Sequence, residues 1–256
     1  MSDLTHILYT CISGIISVVI LVIACKYIKT DKSKERFLKF WAIMTLIFHF
    51  SILYYEFFTL GTAEAGATML LPIYPCNIAM WLLVIVAFMK KDNKAFNPIA
   101  TATFYLGLIG GIVGIIFNEN YISTPSLADY NVLKGLLSHS TMLIGCIYLL
   151  VGKYIKIRVS NMFAVVGGLA FLVLDGLTMI GLFKLFIPHI DPPNCMFLLE
   201  NPFPQIPWFN SGVLGIVAAI VLFAFTAIYE QIAVKKEERW YTKLATFIEE
   251  KKNKNI

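Results

Sequence analysis

Two side chains in this sequence, the thiol of Cys76 and the imidazole of His139, have the chemistry for nucleophilic catalysis. A cysteine sulfur can attack an ester carbonyl and form a thioester. A neighbouring histidine can take the thiol proton and return it to the leaving alcohol. Acyl transfer is therefore the first reaction that this pair suggests. The alternative for Cys76 is that it packs as a small apolar residue in a proline-kinked helix.

The elements that must position these residues are seven apolar stretches, each long enough to cross a hydrocarbon core of about 30 Å. Hydrophobic residues make up 58% of the 256 residues and charged residues 14%, and the mean hydropathy is +0.75. This composition excludes a soluble domain. We predict an all-α polytopic membrane bundle of seven transmembrane helices over residues 1–234 and a charged cytoplasmic tail over 235–256. The predicted spans are 7–28, 37–60, 68–89, 99–117, 133–152, 161–186 and 209–234.

The formal charge of +5 does not indicate nucleic-acid binding, because only some of the connections carry the basic residues. Lysine and arginine fill the first, third and fifth connections and the tail, the second connection has none, and the fourth is acidic. Under the positive-inside rule, the N-terminus faces outward and the C-terminus lies in the cytoplasm. The first residues carry no basic n-region, so we predict a first membrane helix rather than a cleaved signal peptide.

The third apolar stretch contains Pro72 and Pro75, which withdraw two backbone donors from the predicted helix. In lipid, the carbonyls freed in this way need other partners, so such a break belongs where protein or a polar cavity surrounds it. We therefore predict either a kinked helix over 68–89 or a break at Pro75. In both cases Cys76 and Asn77 are expected to face the bundle interior.

Counting residues from the outer ends of their helices places Cys76 and His139 at matching depth. Cys76 lies about 12 Å and His139 about 10 Å into the membrane at 1.5 Å per residue. Ionisable groups within a membrane span are costly and suggest function by default. Other polar residues fall at or near the same depth, and we treat them as candidate substrate-binding or supporting residues: Asn77, Ser138, His49, Glu56 and Asp175.

Two helix faces carry small or apolar residues at helical spacing. The fourth span has Gly107, Gly110, Gly111 and Gly114 on one stripe, which suits close helix packing. In the fifth span, His139 shares a stripe with Met142, Leu143 and Cys146. We expect the glycine face to lie in a close helix–helix contact.

The sixth connection is the longest, and the five prolines between residues 189 and 208 exclude a continuous helix. Its apolar residues predict a loop at the outer interface that partly caps the bundle. It contains Cys195, and a disulfide between Cys76 and Cys195 remains an open alternative. The cysteines show no metal-ligand spacing, and we expect neither a metal nor a cofactor.

Three segments resemble the YwaF-like bacterial integral membrane proteins that are grouped with transmembrane protein 164. The segments are Leu-Pro-Ile-Tyr-Pro-Cys-Asn at 71–77, Ser-His-Ser at 138–140, and Asn-Cys-Met-Phe-Leu at 194–198 with Pro202 and Pro207-Trp208 after it. The family pattern resembles Leu-Pro-Leu-x-x-Cys, a later histidine, and Asn-Tyr-Met-x-Leu before Pro-Trp. Here Pro75 stands where the family often has a small or aliphatic residue, and Cys195 replaces the usual tyrosine.

The resemblance implies a membrane acyltransferase in a bacterial cell membrane that acts on phospholipids or lysophospholipids. It implies that Cys76 is the nucleophile and His139 the base, with Asn194 and Asn77 as supports. The residues leave two other classes open. A transporter or channel would use His49, Glu56 and Asp175 as a relay beside a broken helix. A zinc-dependent lipid hydrolase would need several histidines and aspartates to converge, and two of the four histidines, His6 and His189, fall outside the predicted spans.

Overall fold

The computed structural model describes residues 4–61, 70–117, 126, 129–189, 191–201, 206–208 and 210–254. Within these residues the secondary structure is entirely helical, as predicted. The helices are α1 (Leu4–Tyr27), α2 (Asp31–Leu60), α3 (Pro75–Phe88), α4 (Phe96–Ile116), α5 (Tyr130–Val151), α6 (Met162–Phe186), α7 (Ser211–Ala233) and α8 (Trp240–Lys254). Short 3-10 turns cover Val159–Asn161, Cys195–Phe197 and Lys236–Glu238.

Among the described helices, six are long and apolar enough to cross a membrane: α1, α2, α4, α5, α6 and α7. Most of their ends lie within three residues of the predicted ones. The exception is α2, which begins at Asp31 because Thr30 caps it by accepting a hydrogen bond from the Ser33 backbone N–H. Likewise α1 begins before the predicted span, so His6 lies inside a helix rather than outside it.

The third predicted span is wrong as a continuous helix over 68–89, because α3 begins only at Pro75. Residues 70–74 are not helical, and 68 and 69 lie outside the described residues. Pro75 occupies the first helical position, where its missing N–H costs nothing. With 14 residues, α3 extends about 21 Å at 1.5 Å per residue. Of the two arrangements predicted for this stretch, the chain adopts the break at Pro75.

At the centre of the bundle, α5 packs against α1, α2 and α4. Hydroxyl pairs join these helices, between Ser13 and Ser140 at 2.7 Å and between Thr45 and Thr141 at 3.2 Å. The short helix α3 packs mainly against α4 and α2. In contrast, α6 and α7 make fewer contacts with the rest of the bundle, and most of their surface faces outward. Helices α1–α5 therefore form the compact part of the molecule.

The glycine face of α4 is the surface on which α3 and α5 pack. The side chains of Cys146, Leu143 and His139 on α5 lie against Gly107, Gly111 and Gly114, respectively. The predicted close packing of the glycine stripe is confirmed. Because these glycines have no Cβ, the helices approach more closely than larger residues would permit.

The bundle has two distinct ends. At the basic end, Lys91 lies over the Tyr154 ring and Arg158 pairs with Glu238 at 3.0 Å. The opposite end, here called the loop end, contains residues 70–74, the start of α5 and the 191–201 segment. There Tyr55 stacks on Tyr130, and Tyr74 contacts Phe197.

Candidate active site

Cys76 is the second residue of α3, directly after the chain break at Pro75. Its thiol is half-buried and donates a hydrogen bond to Asn77 Oδ1 at 3.4 Å. Asn77 itself is buried. At the start of α3, Pro75 has no N–H and the Asn77 N–H donates to the Tyr74 carbonyl oxygen at 3.0 Å, whereas the Cys76 N–H lies beside the sulfur. This position follows from Pro75, which starts the helix one residue before the cysteine.

His139 lies in the third turn of α5, and its ring orientation is set by its own helix. Its Nδ1 lies 2.7 Å from the Gly135 carbonyl oxygen. Because a carbonyl oxygen only accepts, Nδ1 carries the hydrogen and donates it. In the neutral imidazole, Nε2 is then the unprotonated nitrogen. Nε2 is therefore free to act as a base, and its edge of the ring lies against Gly114.

Cys76 and His139 lie against neighbouring turns of the same face of α4. A Cβ at Gly110 would lie 3.2 Å from both Cα and Cβ of Cys76, and a Cβ at Gly114 would overlap the His139 ring. Positions 110 and 114 are four residues apart, or about 6 Å along a helix axis. The two residues therefore contact positions one helical turn apart on α4, and the thiol donates to Asn77 rather than to the imidazole.

Both residues line a cavity of about 1150 Å³ between α3–α5 and the peripheral pair α6 and α7. Small-molecule sites usually enclose roughly 300–1,000 Å³, so this cavity is large. Near the loop end its wall is polar. In the middle of the bundle the wall is mostly apolar, with Leu106, Leu169, Leu172, Val173 and Leu222 among its lining residues, and at the basic end Asn97, Ser160 and Asn161 line it as well. The cavity therefore combines a reactive polar part with a long apolar part.

Four of the supporting candidates also line this cavity: His49, Glu56, Asn77 and Ser138. His49 and Glu56 are both buried side chains of α2. Ser138 is buried and donates to the Gly135 carbonyl oxygen at 3.1 Å, the same oxygen that holds His139. The structure thus brings these residues together with Cys76 and His139.

Asp175 and Asn194 are not among the residues that line the cavity. Asp175 lies on α6 beside the 195–198 segment, and its charge acts on Cys195. Its neighbour Gly176 packs against Met196 and Leu198. The relay of His49, Glu56 and Asp175 that a transporter would use is therefore not assembled around one cavity.

Asn194 supports the loop rather than the reacting residues. Its Oδ1 accepts from the backbone N–H groups of Leu199 and Glu200, and its Nδ2 donates to the Glu200 carbonyl oxygen. The turn that it closes brings the Met196 backbone N–H to the Ile73 carbonyl oxygen at 2.8 Å.

The segment 196–198 forms part of the cavity wall, so the predicted capping loop does cover part of the bundle. Met196 and Phe197 both have positive φ values, 51° and 59°. Such values are uncommon for residues other than glycine, and here the Asn194 hydrogen bonds hold the turn. Cys76 and Cys195 are both free thiols in this arrangement.

Comparison with known families agrees with this architecture. The model of the TMEM164 family matches residues 1–243, nearly the whole chain. The chain belongs to the TMEM164 family. No curated protein and no solved structure matches it. The resemblance seen in the three sequence segments is therefore confirmed at the level of the family.

Lys134 also lines the cavity, although it was not predicted from the sequence as a site residue. It lies on α5 one turn before Ser138 and interacts electrostatically with Cys76, His139 and Glu56. It is the second residue of the predicted span 133–152, where a lysine is typically read as an interfacial residue that reaches into water. The sequence did contain a signal for this residue, because an ionisable group four residues before Ser138 lies one helical turn from the candidate site.

Proposed function

We propose that this protein is a membrane acyltransferase that moves an acyl chain between phospholipids through a thioester on Cys76. The observation that carries the proposal is the placement of Cys76 and His139 against successive turns of one glycine face, Gly110 and Gly114, beside a large and mostly apolar cavity. A thiol and an unprotonated imidazole nitrogen are the two groups that this reaction needs.

In the first half-reaction, the Cys76 thiol gives its proton to His139 Nε2 while sulfur attacks the ester carbonyl of the donor phospholipid. The carbonyl oxygen becomes an oxyanion. The backbone N–H of Cys76 lies beside the sulfur and is suited to stabilise that charge. The C–O bond then breaks, and the leaving oxygen takes the proton from His139. The products are a lysophospholipid and the Cys76 thioester.

In the second half-reaction, a lysophospholipid hydroxyl gives its proton to His139 Nε2 as its oxygen attacks the thioester carbonyl. The C–S bond breaks, and the sulfur recovers the proton from the imidazole. The cycle restores the thiol and makes a new phospholipid ester without a net change in oxidation state. The Nδ1–H bond to Gly135 keeps the same ring nitrogen available in both steps.

The proposal places the polar part of the cavity in the outer half of the bilayer. The basic connections would face the cytoplasm, by the positive-inside rule. The third of seven spans would then consist of α3 together with the irregular segment before it. In this arrangement the N-terminus lies outside the cell membrane and the C-terminus lies on its cytoplasmic side.

The test compares cells that express the wild-type chain with cells that express Cys76→Ala, by lipid mass spectrometry. Cys11, which is exposed on α1, provides the matched control as Cys11→Ala. We expect phospholipid acyl chains to be redistributed by the wild-type chain and by the control, and not by Cys76→Ala. Intact-protein mass spectrometry should find an acyl adduct that hydroxylamine removes and that Cys76→Ala lacks. Equal lipid profiles for Cys76→Ala and the wild type would overturn the proposal.

A further inference from the structure

Lys134 places a positive charge in the polar part of the cavity. It is half-buried in α5 and lines the same cavity as Cys76 and His139. Among the described residues it makes neither a hydrogen bond nor an ion pair within 4.0 Å. An ammonium group inside a membrane bundle is costly unless a counter-charge, polar groups or a water-filled cavity surround it. Such a group therefore suggests a functional site. Glu56 interacts with it electrostatically and balances part of its charge.

The order of the groups along the cavity can be read from two helices. On α5, Lys134 is five residues closer to the loop end than His139, or about 7 Å. On α4, Gly114 is four residues closer to the loop end than Gly110, so the His139 position lies about 6 Å nearer that end than the Cys76 position. The order from the loop end is therefore Lys134, His139 and Cys76, followed by the apolar lining.

A glycerophospholipid presents its groups in the same order. Its phosphodiester lies nearest the membrane surface, its ester carbonyls lie below, and its acyl chains reach deepest. With the chain among the apolar residues and the ester at Cys76, the phosphodiester lies on the loop-end side of Cys76, towards Lys134, whose ammonium interacts electrostatically with Cys76. A lysine ammonium is a compact charge that binds phosphate well.

We propose that Lys134 binds the phosphodiester of the lipid substrate and thereby sets the depth at which the ester meets Cys76. This inference rests on the proposed function for the role of the ester, but the binding site itself does not depend on catalysis. In the unliganded cavity Glu56 is the counter-charge, and a bound phosphodiester supplies a second one. The cavity then selects phosphate-bearing lipids over neutral esters with the same acyl chains.

The experiment measures binding without turnover, in the Cys76→Ala background. Purified protein in detergent is incubated with dioleoylphosphatidylcholine or with dioleoylglycerol, and native mass spectrometry gives the fraction bound to each. The two lipids carry the same chains and differ in the phosphate headgroup. We expect Lys134→Gln to weaken retention of the phospholipid about tenfold, a factor typical of losing one charge-assisted contact, and to leave retention of dioleoylglycerol unchanged.

Two further variants separate a lost charge from a disturbed fold. Lys134→Arg keeps the charge and should restore most of the phospholipid retention. Lys184→Gln removes a lysine that is exposed near the loop end of α6 and should behave as the parent. If Lys134→Gln does not fold, Lys134→Met carries the same test with a side chain of similar length. If Lys134→Gln weakens retention of both lipids equally, or of neither, Lys134 does not bind the phosphodiester.

The outcomes also distinguish this inference from the proposed function. One outcome is that Lys134→Gln selectively weakens phospholipid retention, while the otherwise wild-type chain forms no acyl adduct on Cys76. That outcome would support phosphodiester binding by Lys134 and contradict the proposed acyltransferase function. An acyl adduct on Cys76 whose formation from phosphatidylcholine is unaffected by Lys134→Gln would support the acyltransferase function and contradict phosphodiester binding by Lys134.

Discussion

The imidazole of His139 occupies the space that any side chain at Gly114 would fill. A Cβ built at position 114 would overlap ring atoms of His139, including Nε2. Because Nδ1 is tied to the Gly135 carbonyl oxygen, the ring cannot turn away without losing that hydrogen bond. The glycine on α4 and the hydrogen bond on α5 together determine where the base lies.

Replacing Gly114 with alanine should therefore impair the reaction more than it impairs folding. The added methyl displaces the imidazole, and a misplacement of about 1 Å can lower a rate by about a hundredfold. Acyl exchange measured in proteoliposomes should fall by at least tenfold in Gly114→Ala. In Gly167→Ala, where a Cβ would have no atom within 4 Å, the rate should stay at the wild-type value. Similar rates in the two variants would show that the imidazole position is unimportant.

Cys76→Ala and His139→Ala should each abolish acyl exchange, and the double variant should be no slower than either single variant. Groups that act as one unit give such non-additive losses. The rates of all three variants are compared with the wild type in the same proteoliposomes, at equal amounts of folded protein. Losses that multiply in the double variant would mean that the two residues act independently.

The termini should lie on opposite sides of the membrane. A tag before Met1 should be accessible from outside intact cells, and a reporter after Ile256 should be active only in the cytoplasm. This follows from the segregation of lysine and arginine to one end of the bundle. If both termini are on one side, the number of spans is even and the site is not in the outer half.

Glu230 should be required for the attachment of α8. This buried carboxylate accepts hydrogen bonds from the Val159 N–H at 2.9 Å and the Trp240 N–H at 2.8 Å. Glu230→Ala leaves two backbone donors without acceptors, each worth about 1–3 kcal/mol when buried. We expect a lower thermal unfolding temperature in detergent and faster proteolysis between residues 234 and 240.

Glu237→Ala is the matched control for that experiment, because Glu237 is an exposed carboxylate in the same connection. It should unfold and be cleaved as the wild type is. If Glu230→Ala behaves in the same way as Glu237→Ala, the two hydrogen bonds do not hold α8 in place.

Most of the helices could be predicted from the sequence, because membrane spans depend on local hydrophobicity and on helix length. The break before α3 was also visible in the sequence, since two prolines remove backbone donors wherever they occur. The sequence did not show whether the helix would kink or break completely. The outcome depends on whether other parts of the chain satisfy the freed groups, and here the Ile73 carbonyl oxygen accepts from Met196, more than a hundred residues away.

Counting residues along each helix placed Cys76 and His139 within about 2 Å in depth. They lie instead against Gly110 and Gly114, about 6 Å apart along α4, because residues 70–74 before Cys76 are not helical. Counting also could not give the direction in which each side chain points around the bundle. Asp175 was assigned to the site by depth, yet α6 turns it towards the 195–198 segment. Lys134 was not among the predicted site residues, yet it lines the cavity with Glu56 and Cys76. Only the packing of one helix on another decides which residues of equal depth meet, because the rotation of each helix is set by side chains far away in the sequence.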